Sequence, residues 1–145
     1  MNLRIGLVGL VMWGTVNATA GIANADASED YPIPNRILKT TCTAEQIMAA
    51  ARDVEPVYYE RYMIDYDNHS QQIQQATQDQ IHWFFSMDYA GRGAYSEELA
   101  ANFADPLTVA WPNHQKLFFN SKGVAAHTTD TCAKYPPDDQ SVWNW

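Results

Sequence analysis

The chain has 145 residues, with 9 basic against 17 acidic side chains and a formal charge of −8. That balance argues against nucleic acid and against an anionic membrane surface as partners, because both demand clustered positive charge. The length suits one domain and is too short for two. Residues 1–25 read as an export leader: Arg4 supplies the positive start, Ile5 to Val16 the apolar run, and Ala23-Asn24-Ala25 the small-x-small cleavage site, with Ala18-Thr19-Ala20 as the weaker candidate. The apolar run is shorter than the roughly 20 residues needed to cross about 30 Å of hydrocarbon, so no membrane span is expected after cleavage. No cysteine follows the run, which excludes a lipoprotein site. Residues 26–145 then form a single domain, exported to the periplasm, cell envelope or medium.

The mature chain opens on an extended segment, 26–41, where Tyr31-Pro32-Ile33-Pro34 disfavours a helix. Cys42 follows. With Cys132 it makes an even count behind a secretory leader, and only one disulfide is possible. Closing so long a loop removes roughly 4–5 kcal/mol of freedom from the unfolded chain in the entropic picture. Thr43 and Gln46 fit a capping box that starts the first helix. Ile47, Ala50, Ala51, Val54, Tyr58 and Tyr62 recur along it at helical spacing, and Pro56 predicts a kink, or a break and restart. Asp67-Asn68-His69-Ser70 is a turn, with Asn68 or Ser70 capping the next helix. That helix places Ile73, Ala76, Ile81, Trp83 and Phe84 inward and Gln71, Gln75, Gln78, Asp79 and His82 outward. A third helix is expected over about 89–103, and Asp88, Gly91 and Gly93 make it the weakest of the set. Asp105-Pro106 is a strong start signal for a fourth, with Leu107, Ala110, Trp111, His114 and Phe118 on its inner face and Pro112 as a kink. Gly123 suits a left-handed C-cap, a short last turn carries Cys132, and residues 135–145 leave the helical region. The expected fold is all-α: a single-domain bundle of about four or five helices with non-helical N- and C-terminal segments, closed by one disulfide.

Catalytic signatures are lacking. His69, His82, His114 and His127 fall in no metal-binding spacing, there is no G-x-S-x-G, and cysteines held as a disulfide supply no thiolate. The acid pairs Asp65/Asp67, Glu97/Glu98 and Asp138/Asp139 do not converge on one point of a helix. Asp65 to Ser70 lacks the glycine and glutamate of a calcium loop. No enzyme activity, metal or cofactor is expected. His82 reads as a solvated or helix-bridging histidine, His114 as a hydrogen-bonded core residue. His69 belongs to a turn, or with Tyr66 to a haem ligation. Arg61 and Asp65 form a half-buried pair if the helix keeps its phase through Pro56, and a surface pair if it does not.

Five tryptophans, eight tyrosines and five phenylalanines point instead to binding. The candidate surface is Tyr59, Tyr62, His69, Trp111, His114, Trp143 and Trp145. Trp143 and Trp145 lie in a segment that would fray unless it docks on the bundle or on a partner.

Several stretches carry a family resemblance: Tyr31 to Pro34 with Thr40-Thr41-Cys42, Pro56-Val57-Tyr58-Tyr59-Glu60-Arg61-Tyr62-Met63-Ile64-Asp65, and His82-Trp83-Phe84-Phe85-Ser86. Asp105 to Trp111, Asn113-His114, Phe118-Phe119-Asn120 with Lys122-Gly123-Val124, and Ser141-Val142-Trp143-Asn144-Trp145 continue it. Together they resemble a family of small exported mycobacterial proteins of unknown function, one member of which is associated with siderophore secretion. The resemblance implies a periplasmic helical bundle cinched by Cys42–Cys132. It also implies a non-enzymatic role in exporting mycobactin-type siderophores beside MmpL-type transporters, with those transporters or the siderophore itself as partner. The alternative reading is a secreted carrier of haem or a lipid-like small molecule.

Overall fold

The computed structural model describes residues 32–101, 117–118 and 121–145. Among them are six α-helices: α1 (Asn35–Lys39), α2 (Ala44–Val54), α3 (Pro56–Asp67), α4 (Gln71–Ser86), α5 (Tyr89–Ala101) and α6 (Lys122–Thr131). Two 3₁₀ turns, Cys132–Lys134 and Gln140–Trp143, follow α6, and the described residues contain no strand. The all-α bundle closed by one disulfide is therefore correct.

The opening segment is not wholly extended, as its prolines had suggested. Pro34 takes the N-cap position (φ −57°, ψ 137°), and α1 begins immediately after it. Both prolines thus precede the first turn, where a missing N–H costs nothing. Ile33, Ile37 and Leu38 pack into the core from this segment.

The capping box of α2 is reciprocal. The Gln46 backbone N–H donates to Thr43 Oγ1 (3.2 Å), and the Thr43 N–H to Gln46 Oε1 (3.0 Å). The helix buries Ile47, Met48, Ala49, Ala50 and Ala51, and it packs against α3, α4, α6 and the 3₁₀ turns. Its alanines allow neighbouring backbones to approach closely.

At Pro56 the chain breaks and restarts. Glu55 leaves the helical region (φ −134°, ψ 51°), and Pro56 opens α3 at a position needing no donor. The break resets the phase. Tyr59, Tyr62, Met63 and Tyr66 face the core, whereas Val54 is exposed and Tyr58 only half-buried. Arg61 consequently lies on the surface and Asp65 is half-buried.

The inner face of α4 also departs from expectation. Gln74, Thr77, Gln78, Ile81 and Phe84 form the inward stripe, while Ile73, Ala76 and Trp83 are exposed. Thr77 can be buried because its hydroxyl donates to the Ile73 carbonyl (2.9 Å).

Asp88 starts α5 by accepting the Gly91 N–H (2.8 Å). The expected helix after Asp105-Pro106, with Leu107, Ala110, Trp111, Pro112 and His114, lies outside the described residues. Phe118 is buried and meets Tyr62 edge-on (5.7 Å). Gly123 does not terminate a helix. It is the second residue of α6, which Ser121 caps through the Val124 N–H (3.4 Å), so the last helix is a full one rather than a short turn.

Cys42, just before α2, is bonded to Cys132, just after α6, with Cα atoms 6.2 Å apart. Arg92 of α5 ties the other side together. It is 4% exposed, and Nη1 donates to the carbonyls of Ile37 (3.0 Å), Leu38 (3.4 Å) and Thr40 (2.7 Å) while Nη2 donates to Phe85 (2.7 Å). One guanidinium thus satisfies the C-terminal ends of both α1 and α4, where the helix dipoles favour positive charge. Its charge also lies over the rings of Phe84 (5.5 Å) and Phe85 (5.2 Å). Burial lowers its pKa, yet a guanidinium stays protonated in such a site.

Candidate functional site

After Cys132 the chain does not drift away. Residues 135–145 cross α2 and α3 as a strap held by specific bonds. Gln46 Nε2 donates to the Tyr135 carbonyl (2.9 Å), Thr43 Oγ1 to that of Pro137 (2.7 Å), and the Tyr59 hydroxyl to that of Val142 (2.9 Å). The Tyr135 hydroxyl donates to Asp53 (2.7 Å), which pushes the phenol's pKa up. Arg52 pairs with Asp139 (3.6 Å), both partly exposed.

At the centre of the strap contact is Glu45, only 4% exposed on the first turn of α2. One carboxylate oxygen receives His82 Nε2 (2.5 Å), Trp143 Nε1 (3.2 Å) and Gln140 Nε2 (3.3 Å). Burial alone would raise this carboxyl's pKa. The hydrogen bonds from His82 and Trp143 outweigh it, so the group is held below its ordinary value and stays ionised. With its oxygen saturated by three donors, Glu45 clasps α2, α4 and the strap.

Trp143 fills the space beneath. Its ring lies 6.4 Å from Tyr62, 5.9 Å from Tyr66 and 6.1 Å from His82. Burial raises the phenol pKa values of Tyr59, Tyr62 and Tyr66, most strongly at Tyr62.

These positions correct the candidate surface. Tyr59 (5% exposed), Tyr62 (0%) and Trp143 (5%) are interior packing residues, because the phase reset at Pro56 and the docking of the strap bury them. His69 is half-buried in its turn, where its N–H donates to the Tyr66 carbonyl (3.1 Å). Trp111 and His114 lie outside the described residues. Among the described members, Trp145 is the one placed well out on the surface, at 65% exposed. His82 bridges helices, one of the two roles open to it from sequence. His127 likewise bonds Glu55 across from α6.

Sequence reasoning missed Glu45 altogether. The signal was present: it precedes Met48 and Ala49 by three and four residues, on the side of α2 that turns inward. Arg92 was also missed, hidden between two glycines.

Among the described residues are three surface grooves. One of about 460 Å³ runs beside the disulfide, past Arg36, Lys39, Thr40 and Thr129. Trp145 stands between the other two. On one side a groove of about 340 Å³ is lined by Tyr66, Asp67, Gln74, Gln78, Gln140, Trp143 and Asn144. On the other, about 460 Å³ is bounded by Arg52, Pro56, Tyr59, Glu60 and Asn144. Among the described residues no cluster of three or more His, Cys, Asp or Glu side chains could hold a metal ion, and no helix is long and apolar enough to cross a membrane.

No curated protein matches the chain. Residues 28–145 match the family described as a domain of unknown function (DUF5078). That match spans the strap, both cysteines and every described helix, and the chain belongs to this family.

Proposed function

We propose that the protein is an exported, non-enzymatic accessory of siderophore secretion in a mycobacterial envelope, acting by contact with the export machinery, an MmpL-type transporter complex. The observation that carries the reading is the disulfide between Cys42 and Cys132, both almost fully buried. Such a bond is made and kept in an oxidising compartment outside the cytoplasm. The leader-like residues 1–25 and the motif resemblance agree with that compartment and supply the siderophore link. The Glu45 clasp supports a scaffold role, because its ionisable groups are spent on holding elements together.

The carrier reading gains less. Haem or a lipid-like ligand needs an aromatic-lined cavity, and Tyr62, Tyr66 and Trp143 instead pack on one another.

Deleting the gene in its native host and measuring siderophore in the medium tests the proposal. Secretion should fall and return on complementation with the wild-type gene. Unchanged secretion in the deletion strain sinks it.

A further inference from the structure

The groove between the C-terminal end of α3, the first half of α4 and the strap has had its polar atoms sorted by the fold. Gln74 spends two amide N–H groups on the protein, and Gln78, Gln140 and Asn144 spend one each. Gln74 Nε2 donates to the carbonyls of Tyr66 (2.9 Å) and His69 (3.1 Å). Gln140 Nε2 donates to Glu45 (3.3 Å), and Asn144 Nδ2 to the Gln140 carbonyl (3.3 Å). These partners only accept, so each amide's orientation is fixed and its oxygen is left over. Gln78 Nε2 donates to the Tyr66 hydroxyl (2.6 Å), a partner that can also donate and so leaves this amide's orientation open.

Asp67 adds a carboxylate at the last residue of α3, a helix with no basic residue in its last turn. A negative charge at the negative end of a helix is unfavourable and calls for a cation. Among the described residues no lysine or arginine lines this groove. The exposed indole of Trp145 forms one wall.

The complement of an acceptor-rich, anionic groove with an aromatic wall is a flat cation that only donates. A guanidinium has that chemistry: five N–H donors, no acceptor, a permanent charge and a plane that stacks on indole. An ammonium lacks the plane, and a sugar hydroxyl lacks the charge. The overall charge of −8 draws such a group in from a distance.

We propose that this groove binds the guanidinium of an arginine side chain presented by a partner protein, its donors meeting Asp67 and the Gln74 amide oxygen and its plane lying on Trp145. The inference stands apart from the siderophore reading.

The oxidised full-length protein can be titrated with N-acetyl-arginine amide, following tryptophan emission and calorimetry. Binding with a dissociation constant on the order of 1 mM is expected for so small a probe. The citrulline counterpart, equal in shape but neutral, should bind at least tenfold more weakly, as should the lysine counterpart. Asp67→Asn and Trp145→Ala should each weaken arginine binding by about tenfold or more with the melting temperature unchanged. A Gly-Arg-Gly peptide should bind more tightly than methylguanidinium. No binding at tenfold higher concentration, equal binding of citrulline or lysine, or variants that bind like the wild type would each overturn the proposal. Tighter binding of methylguanidinium would overturn the protein source.

Discussion

Glu45 and Trp143 stand 98 positions apart in the chain, and the indole Nε1 of one donates to the buried carboxylate of the other at 3.2 Å. A residue from the first turn of α2 thereby fixes the far end of the strap. Replacing it with glutamine keeps the shape and removes the charge. Charge-assisted bonds from Trp143, His82 and Gln140 weaken together, so Glu45→Gln should lower stability by about 1–3 kcal/mol and shift Trp143 emission to the red. A denaturant melt followed by fluorescence measures both.

The same carboxylate sets an acid limit. Its folded pKa lies below the ordinary 4.5, so the folded state binds this proton less readily than the unfolded chain does. Its contribution to stability is complete above about pH 4.5 and is lost as pH falls through the lower folded value. Denaturant midpoints taken from pH 7 down to pH 3 should drop in the wild type. In Glu45→Gln the acid slope should be shallower.

Arg92→Ala should cost about 2–4 kcal/mol, because four carbonyls at the ends of α1 and α4 lose their donor together. Arg92→Lys should recover only part of this, since a lysine keeps the charge but lacks the fork that reaches both helix ends. Chemical denaturation of both variants beside the wild type tests the order.

The glycines flanking Arg92 should behave oppositely. A Cβ at position 93 meets nothing within 4 Å, so Gly93→Ala should stabilise α5 by about 0.5–1 kcal/mol through helix propensity alone. At position 91 a Cβ falls 3.2 Å from Met87 Cβ and 3.3 Å from Asp88 Oδ1, the oxygen that caps the helix. Gly91→Ala should therefore gain nothing or lose stability. Thermal melts of the two single variants separate the cases.

Breaking the cross-link by Cys42→Ser or Cys132→Ser should lower stability by a few kcal/mol, the cost of restoring freedom to a loop of 90 residues. Melting temperatures of the oxidised wild type, the reduced wild type and the variants should place the last two together, well below the first.

The parts of this fold written in local chemistry were legible. Thr43 and Gln46 announced α2, Pro56 announced the restart, and two cysteines admitted one pairing. What followed from phase was not legible beyond the break. Glu55 sets the rotation of α3, so Tyr59 moved from candidate surface to core and Tyr58 moved outward. On α4 the error had another source. Gln78, read as solvent-facing, turns inward beside Gln74, to which no face was assigned, because backbone and side-chain partners in α3 and its turn accept their protons, and sequence periodicity does not show such partners. Trp143 and Trp145 read alike in the sequence, yet Trp143 docks in the core and Trp145 stays exposed, a difference set by contacts with distant helices. Glu45 escaped notice because a buried acid is recognised by its donors, and these come from residues 82, 140 and 143.

Cys132 lies only three residues before Tyr135, the first strap residue bonded to α2, and Cys42 lies only one before Thr43, which holds Pro137. Once the two sulfurs are joined, strap and helix are held at high mutual concentration and need to close only a few residues of chain. The covalent bond and the clasp therefore favour each other, and by thermodynamic linkage the favour is equal in both directions. Reduction should loosen the packing around Trp143, and losing the indole should make the cysteines easier to reduce by the same free energy. In this chain the redox state of one cysteine pair and the seating of one tryptophan are two readings of a single equilibrium.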